Sequence, residues 1–399
     1  MSRRREFAIW FAVAAAAVLA LLLGVRRQSS SLQRQLATQV APQPARGVAL
    51  FREKGCASCH GSGGVGGRSG PALRQSPTLA TLPRLVAAMW NHAPRMWESM
   101  QAQHVPYPSL DYDEAGQLVA YLYLSGHADE SGDVERGRQL YAQKQCARCH
   151  NSDARLAPDL ARSEVPPTPV AWTQVLWNHG SAMQARMAKA GVAWPTFHAN
   201  ELRDLFAYVQ AMDGAAPDAS TISGDPDRGW AVFQRKGCIS CHAITRDAGS
   251  IGPAFGRDHQ LPPSFAQFGE AMLNHFPQMQ RALSSRSAAM PVFEGDEMED
   301  LAAFLYSLHF LEPAGSPQVG ASVFGWRGCA QCHGERAQGT AAAPALRGTG
   351  KTYTAVRLAA DLWRHGAKMY SSAHAAGQQW PALGEEDVGD LLAFLNTPQ

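Results

Sequence analysis

Four stretches of the chain place apolar residues on one face of a helix: Leu118 to Leu124 (LVAYLYL), Leu205 to Met212 (LFAYVQAM), Leu301 to Leu308 (LAAFLYSL) and Leu391 to Leu395 (LLAFL). Their 3.6-residue period predicts amphipathic helices that bury one side. A second helical signal recurs upstream of each, a glycine followed four residues later by an aromatic: Gly47/Phe51, Gly137/Tyr141, Gly229/Phe233 and Gly320/Phe324. Residues four apart share a helical face, so each pair marks one side of an opening helix. The pattern predicts an all-α chain of four similar units.

One stretch has no polar face. Phe7 to Val25 is an unbroken apolar run of 19 residues, preceded by Arg3, Arg4 and Arg5 and followed by Arg26 and Arg27. At about 1.5 Å per residue it nearly matches a bilayer core of about 30 Å. Arginines, rather than the small residues of a cleavage site, follow it, so the expectation is a retained transmembrane helix. Gln28 to Pro44 reads as a polar spacer.

The eight cysteines change the picture most. They form four pairs, each Cys-x-x-Cys with a histidine directly after: Cys56/Cys59/His60, Cys146/Cys149/His150, Cys238/Cys241/His242 and Cys329/Cys332/His333. Two thiols at this spacing can add to the two vinyl groups of one haem while the adjacent imidazole reaches the iron. A zinc site would need two such pairs to converge, and a redox dithiol would not need histidine at the same place four times. The motifs therefore predict four covalently bound haem c groups with His60, His150, His242 and His333 as proximal ligands.

First cysteines fall at 56, 146, 238 and 329, at intervals of 90, 92 and 91 residues, so the chain reads as a fourfold repeat. The Gly-x-x-x-aromatic helix, the haem motif and the closing apolar helix together resemble class I cytochrome c over nearly everything after residue 46. The resemblance implies that opening and closing helices cross closely at the glycine with interlocked aromatics. It also implies that a proline carbonyl after the haem loop accepts the proximal imidazole proton. Pro71, Pro158, Pro253 and Pro344 stand at that place. The expected domains are residues 46–127, 133–214, 224–313 and 317–399, after an anchor and spacer at 1–45.

The sixth ligand departs from the family pattern, which takes methionine from a Met-Pro step before the closing helix. Only unit three has one, Met290-Pro291; the others have Tyr107-Pro108, Trp194-Pro195 and Trp380-Pro381. Upstream, however, His-x-x-x-Met recurs as His92/Met96, His179/Met183, His275/Met279 and His365/Met369, with both side chains on one helical side. From proximal histidine to this methionine run 36, 33, 37 and 36 residues. Met96, Met183, Met279 and Met369 are the expected iron ligands, with Met290 an alternative in unit three. The four histidines of the motif are the rivals, and they would give bis-histidine haems of lower potential.

Two glycine-rich stretches, Gly61 to Gly70 and Gly348 to Thr352, lack the residues of a phosphate-binding loop and read as turns. Residues 1–46 hold seven arginines and one glutamate, which leaves 29 basic and 33 acidic side chains beyond. With haem propionates added, that exported part predicts a negative surface steering toward basic redox proteins, and nucleic acid is not an expected partner. The reading is an electron carrier, not an enzyme, cycling Fe(III)/Fe(II) in the periplasm from an anchor in the inner membrane. A haem peroxidase or small-molecule reductase, and a gas or redox sensor built on unit three, are the alternatives.

Overall fold

The computed structural model describes residues 44–398 apart from 75, 153–156, 164–165, 213, 215–223, 245–250, 256–259 and 309–314. Among these residues the ordered elements are helical, and no helix is long and apolar enough to cross a membrane. The apolar run Phe7 to Val25 and nearly all of its spacer lie outside the described residues.

Each unit contributes three long helices. Unit one has α1 (Pro44–Glu53), α2 (Leu82–Ala102) and α3 (Tyr112–Gly126). Unit two has α4 (Val134–Gln143), α5 (Pro169–Lys189) and α6 (Glu201–Met212). Unit three has α7 (Pro226–Arg235), α8 (Phe265–Ser284) and α9 (Glu297–Ser307). Unit four has α10 (Pro317–Trp326), α11 (Ala355–Ala375) and α12 (Glu385–Asn396). The middle helix starts the same way each time, with Thr81, Thr168, Ser264 or Thr354 accepting a backbone N–H of the first turn.

Opening and closing helices cross at the glycine. A Cβ at Gly229 would overlap the Asp300 carbonyl and the Phe304 side chain, and Gly47, Gly137 and Gly320 are equally tight. Next to the crossing, Phe51–Tyr121, Tyr141–Tyr208, Phe233–Phe304 and Phe324–Phe394 sit 5.5, 5.4, 5.5 and 5.3 Å apart at interplanar angles of 50–62°. Such tilted rings gain edge-to-face attraction beyond area burial. Asp204 and Asp300 add a second tie, accepting the backbone N–H of Asp133 and Asp225 at the head of the opening helix at 3.1 and 2.7 Å.

The units do not pair in chain order. Unit one packs on unit four through α2 against α11 and α12, and α3 against α11; unit two packs on unit three through α5 against α8 and α9, and α6 against α8. The two pairs meet where unit one touches unit three. There Tyr123 donates to the Tyr306 carbonyl at 3.0 Å, with both tyrosines buried. Asp129 accepts the Ala266 N–H at 3.0 Å, and the His127 ring lies among Tyr123, Phe265 and Tyr306. His127, expected to have only a local role, belongs to this seam. In space the units run 4–1–3–2.

Candidate functional site

A left-handed residue turns the chain into each haem motif. It is glycine in three units, Gly55, Gly237 and Gly328 with φ of 82, 78 and 80°, but Gln145 with φ 62° in unit two. The turn carries the two cysteines and the histidine onto one wall. Burial pushes the first thiol of each pair, Cys56, Cys146, Cys238 and Cys329, up to about 11, while every second cysteine, Cys59, Cys149, Cys241 and Cys332, is partly exposed. No cysteine is spent in a disulfide.

Each histidine is held from behind. His60, His150, His242 and His333 place Nδ1 at 2.9 Å from the carbonyls of Pro71, Pro158, Pro253 and Pro344. A carbonyl can only accept, so the proton sits on Nδ1 and Nε2 keeps a free lone pair for a metal. His60, His242 and His333 are 8, 9 and 8% exposed, whereas His150 is only half-buried, and its proline follows after 8 residues instead of 11.

In unit one these groups line a cavity of about 580 Å³ whose walls include Cys56, Cys59, His60, Met89, His92 and Met96. Two thiols and an imidazole with a free Nε2 on one wall, and thioethers with apolar side chains on the others, fit a covalent haem. His92 and Met96 both face this space. Burial, and next the nearby charge of His60, hold the His92 imidazole below its ordinary range. In unit three the His275 ring centre lies 6.5 Å from that of His242, while Met279 and Met290 are both half-buried against the core. Met183 and Met369 are half-buried in units two and four, where the motif histidines His179 and His365 are exposed. His179 is turned back on the carbonyl of Val175 at 2.8 Å.

The Trp-Pro steps that replace Met-Pro are turned to a neighbouring unit. Trp380 donates to the Trp90 carbonyl at 3.0 Å and stacks on the Trp90 ring at 4.7 Å; Trp194 donates to the Leu273 carbonyl at 2.9 Å and stacks on Phe276 at 5.1 Å. These two carbonyls are the ones freed four residues before Pro94 and Pro277, the prolines inside α2 and α8. Next to them, Asn91 exchanges two hydrogen bonds with the backbone of Leu383, Asn178 with Phe293 and Asn274 with Phe197, all at 2.7–3.0 Å. Sequence reasoning missed the asparagines and the two prolines. Their signals were present: asparagine directly before the histidine in three units, and proline two residues after it in units one and three.

Comparison with known proteins bears on the same units. The family model described as "Cytochrome c" matches residues 44–123, 226–309 and 318–399, more than half of the chain, and the model "Cytochrome C oxidase, cbb3-type, subunit III" matches residues 132–209. The chain is 28% identical over 235 residues to the cbb3-type cytochrome c oxidase subunit FixP of Rhizobium meliloti, covering 53% of this chain and 75% of that one. It is 28% identical over 187 residues to FixP of Sinorhizobium medicae, covering 42% of this chain and 60% of that one. For FixPc of Rhizobium leguminosarum the identity is 28% over 185 residues, 43% of this chain and 61% of the relative. No solved structure matches. The repeated Gly–aromatic crossing, the Cys-x-x-Cys-His turns and these matches lead to one conclusion: the chain belongs to the cytochrome c family, whose domains hold haem c covalently.

Proposed function

We propose that the chain is a tetrahaem electron carrier, one haem c per unit, tied to the inner membrane by Phe7 to Val25 with its haem units in the periplasm. The observation that carries this reading is the fourfold recurrence of one geometry: a buried first thiol, and a histidine whose Nδ1 meets a proline carbonyl at 2.9 Å. Each bound haem supplies reversible Fe(III)/Fe(II) chemistry. The protein attaches it through the cysteine pairs, orients the proximal imidazole and keeps water from the iron. Its likeness to subunits of cbb3-type oxidases suggests service as an electron-carrying subunit of a terminal oxidase or a similar complex, with redox proteins bearing basic surfaces as partners.

The sixth ligand comes from the middle helix, and Met96, Met183, Met279 and Met369 fill that role in this reading. The position of Met290 argues against it, because its neighbour Pro291 is held at the unit-two interface by Trp177 at 2.8 Å. A second reading, histidine ligation, is favoured in unit three by the His242–His275 separation. Two ring nitrogens bonded to one metal at about 2.0 Å place their ring centres roughly 6 Å apart.

Haem counting on the purified chain tests the main reading: four per chain, and three after Cys329→Ala/Cys332→Ala. Carbon monoxide adds little to the reduced protein if all four irons are six-coordinate; rapid binding at one haem would turn the reading toward an enzyme or sensor. Replacing Met279 or His275 by alanine and following the sulfur-to-iron charge-transfer band separates the two ligand sets in unit three.

A further inference from the structure

The covalent order of the units suggests a relay from haem 1 through haems 2 and 3 to haem 4. The packing gives a different order. Extensive helix packing joins units one and four, and units two and three. Between the two pairs, unit one meets unit three at a buried seam. Units one and two, although consecutive, meet through the linker region, where Arg203 pairs with Glu130 at 3.5 Å.

The contact between units four and one reaches the haem site itself. Trp363, on α11 of unit four, forms part of the wall of the unit-one cavity that holds Cys56, Cys59 and His60. Its indole N–H is buried without a hydrogen-bond partner. The equivalent tryptophans are satisfied across their interfaces, Trp90 by the Pro381 carbonyl at 2.7 Å and Trp177 by the Pro291 carbonyl at 2.8 Å. At this one place Arg364 also stands where the other three units carry Asn91, Asn178 and Asn274. The clamp is thus absent where unit four faces the haem site of unit one, and an unpaired donor takes its place. A buried N–H without a partner is costly, and a haem edge or propionate in the adjoining cavity is the acceptor within its surroundings.

We propose that electrons pass through the haems in the spatial order 4–1–3–2, or its reverse, with haems 1 and 3 internal and haems 4 and 2 as the two ends. The inference rests on the tetrahaem reading above. Each step moves one electron: the donor iron goes from Fe(II) to Fe(III), the acceptor from Fe(III) to Fe(II), and no proton or group is transferred. The link between the two halves is then the Tyr123–Tyr306 seam rather than the covalent linker after unit one.

Two variants of the full chain give opposite results for the two orders. Cys146→Ala/Cys149→Ala removes haem 2, an end here but an internal carrier in chain order. Cys56→Ala/Cys59→Ala removes haem 1, internal here but an end in chain order. Haem counting comes first and tests the tetrahaem reading on its own, since each variant must retain three. After pulse reduction, electrons redistribute among the remaining haems at the wild-type rate when haem 2 is missing, and redistribution to haem 4 slows at least tenfold when haem 1 is missing. Because a unit stripped of haem can lose its fold, Asp129→Arg provides a test with all four haems bound. It places a bulky cation against the Ala266 N–H at the seam, and exchange between the halves slows at least tenfold. Unchanged exchange in Asp129→Arg, or a break on losing haem 2 and not haem 1, overturns the order.

Discussion

Odd and even units are built on one plan yet differ at the same few positions. Units one and three have proline two residues after the motif histidine, Pro94 and Pro277; units two and four have Ser181 and Ala367 there, with glycine one residue earlier at 180 and 366. Two residues past the interlocking aromatic of the closing helix, the odd units have Tyr123 and Tyr306 and the even ones Gln210 and Asn396. Before the conserved-in-register proline of the last turn, the even units have Trp194 and Trp380, and the odd ones Tyr107 and Met290. Each difference is used at an interface. Proline frees a helix carbonyl in the odd unit and tryptophan in the even unit donates to it, so every pair joins one odd with one even unit. The glycines lie under the partner's aromatics, Gly180 against Phe276 and Gly366 against Trp97. The tyrosines join odd to odd at the central seam. Small changes in a repeated unit thereby specify which copy packs on which.

The chain consequently reads as odd–even–odd–even, a two-unit segment present twice, with each odd unit paired in space to the even unit of the other segment. That arrangement is the one a domain-swapped dimer of a two-unit chain would have, here fused into a single chain. It also explains why the family's usual methionine is missing from the even units. The side chain at that position is occupied in holding a neighbouring unit, and the distal ligand is left to the middle helix.

The sharpest way to break the comparison is to remove one indole N–H and keep its ring. Trp194→Phe preserves stacking on Phe276 but leaves the Leu273 carbonyl buried and unpaired, a cost of about 1–3 kcal/mol. Chemical denaturation should show unit three or the 2·3 pair melting earlier by that amount. Adding Pro277→Ala restores an N–H to the helix, which then satisfies the carbonyl itself, so the double variant should recover most of the loss. A double-mutant cycle with no coupling would mean that the tryptophan matters only as a ring.

The asparagine clamps give a smaller effect with a built-in contrast. The 2·3 pair has two, Asn178 and Asn274, whereas the 1·4 pair has Asn91 alone. Alanine at any one of them removes two hydrogen bonds to partly buried backbone, about 1–2 kcal/mol. Asn91→Ala should therefore weaken the 1·4 pair more, as a fraction of its clamping, than Asn274→Ala weakens 2·3. Hydrogen exchange at Leu383 and Phe197 reads the two directly.

Much of this fold was legible in the sequence because its signals are local. The haem turns lie within five residues, and Gly229 with Phe233, or Gly320 with Phe324, within one helical turn. The pairing was not legible, since Trp90 and Pro381 are 291 residues apart and nothing near either one names the other. Proline inside α2 looked like a local flaw until its freed carbonyl found Trp380. The distal ligand stayed open for a different reason. His92 and Met96 are one helical turn apart and face the same cavity, so periodicity cannot choose between them.

Unit two differs even from its even-numbered counterpart, and the difference sets the smallest prediction. Gln145 occupies the left-handed turn where the other units use glycine, at φ 62°. A side chain there costs about 1 kcal/mol relative to glycine, because Cβ crowds the adjacent carbonyl. The same unit has the less buried proximal histidine and the shorter span to its proline, so its haem turn is the least constrained of the four. Gln145→Gly removes the strain where the backbone already has the required conformation. It should stabilise unit two by somewhat less than that, because the freed unfolded chain offsets part of the gain. Thermal unfolding followed at haem 2, compared with the matched Gly328→Gln change in unit four, should show opposite shifts of similar size. Equal behaviour of the two turns would mean that unit two has adapted elsewhere to its glutamine.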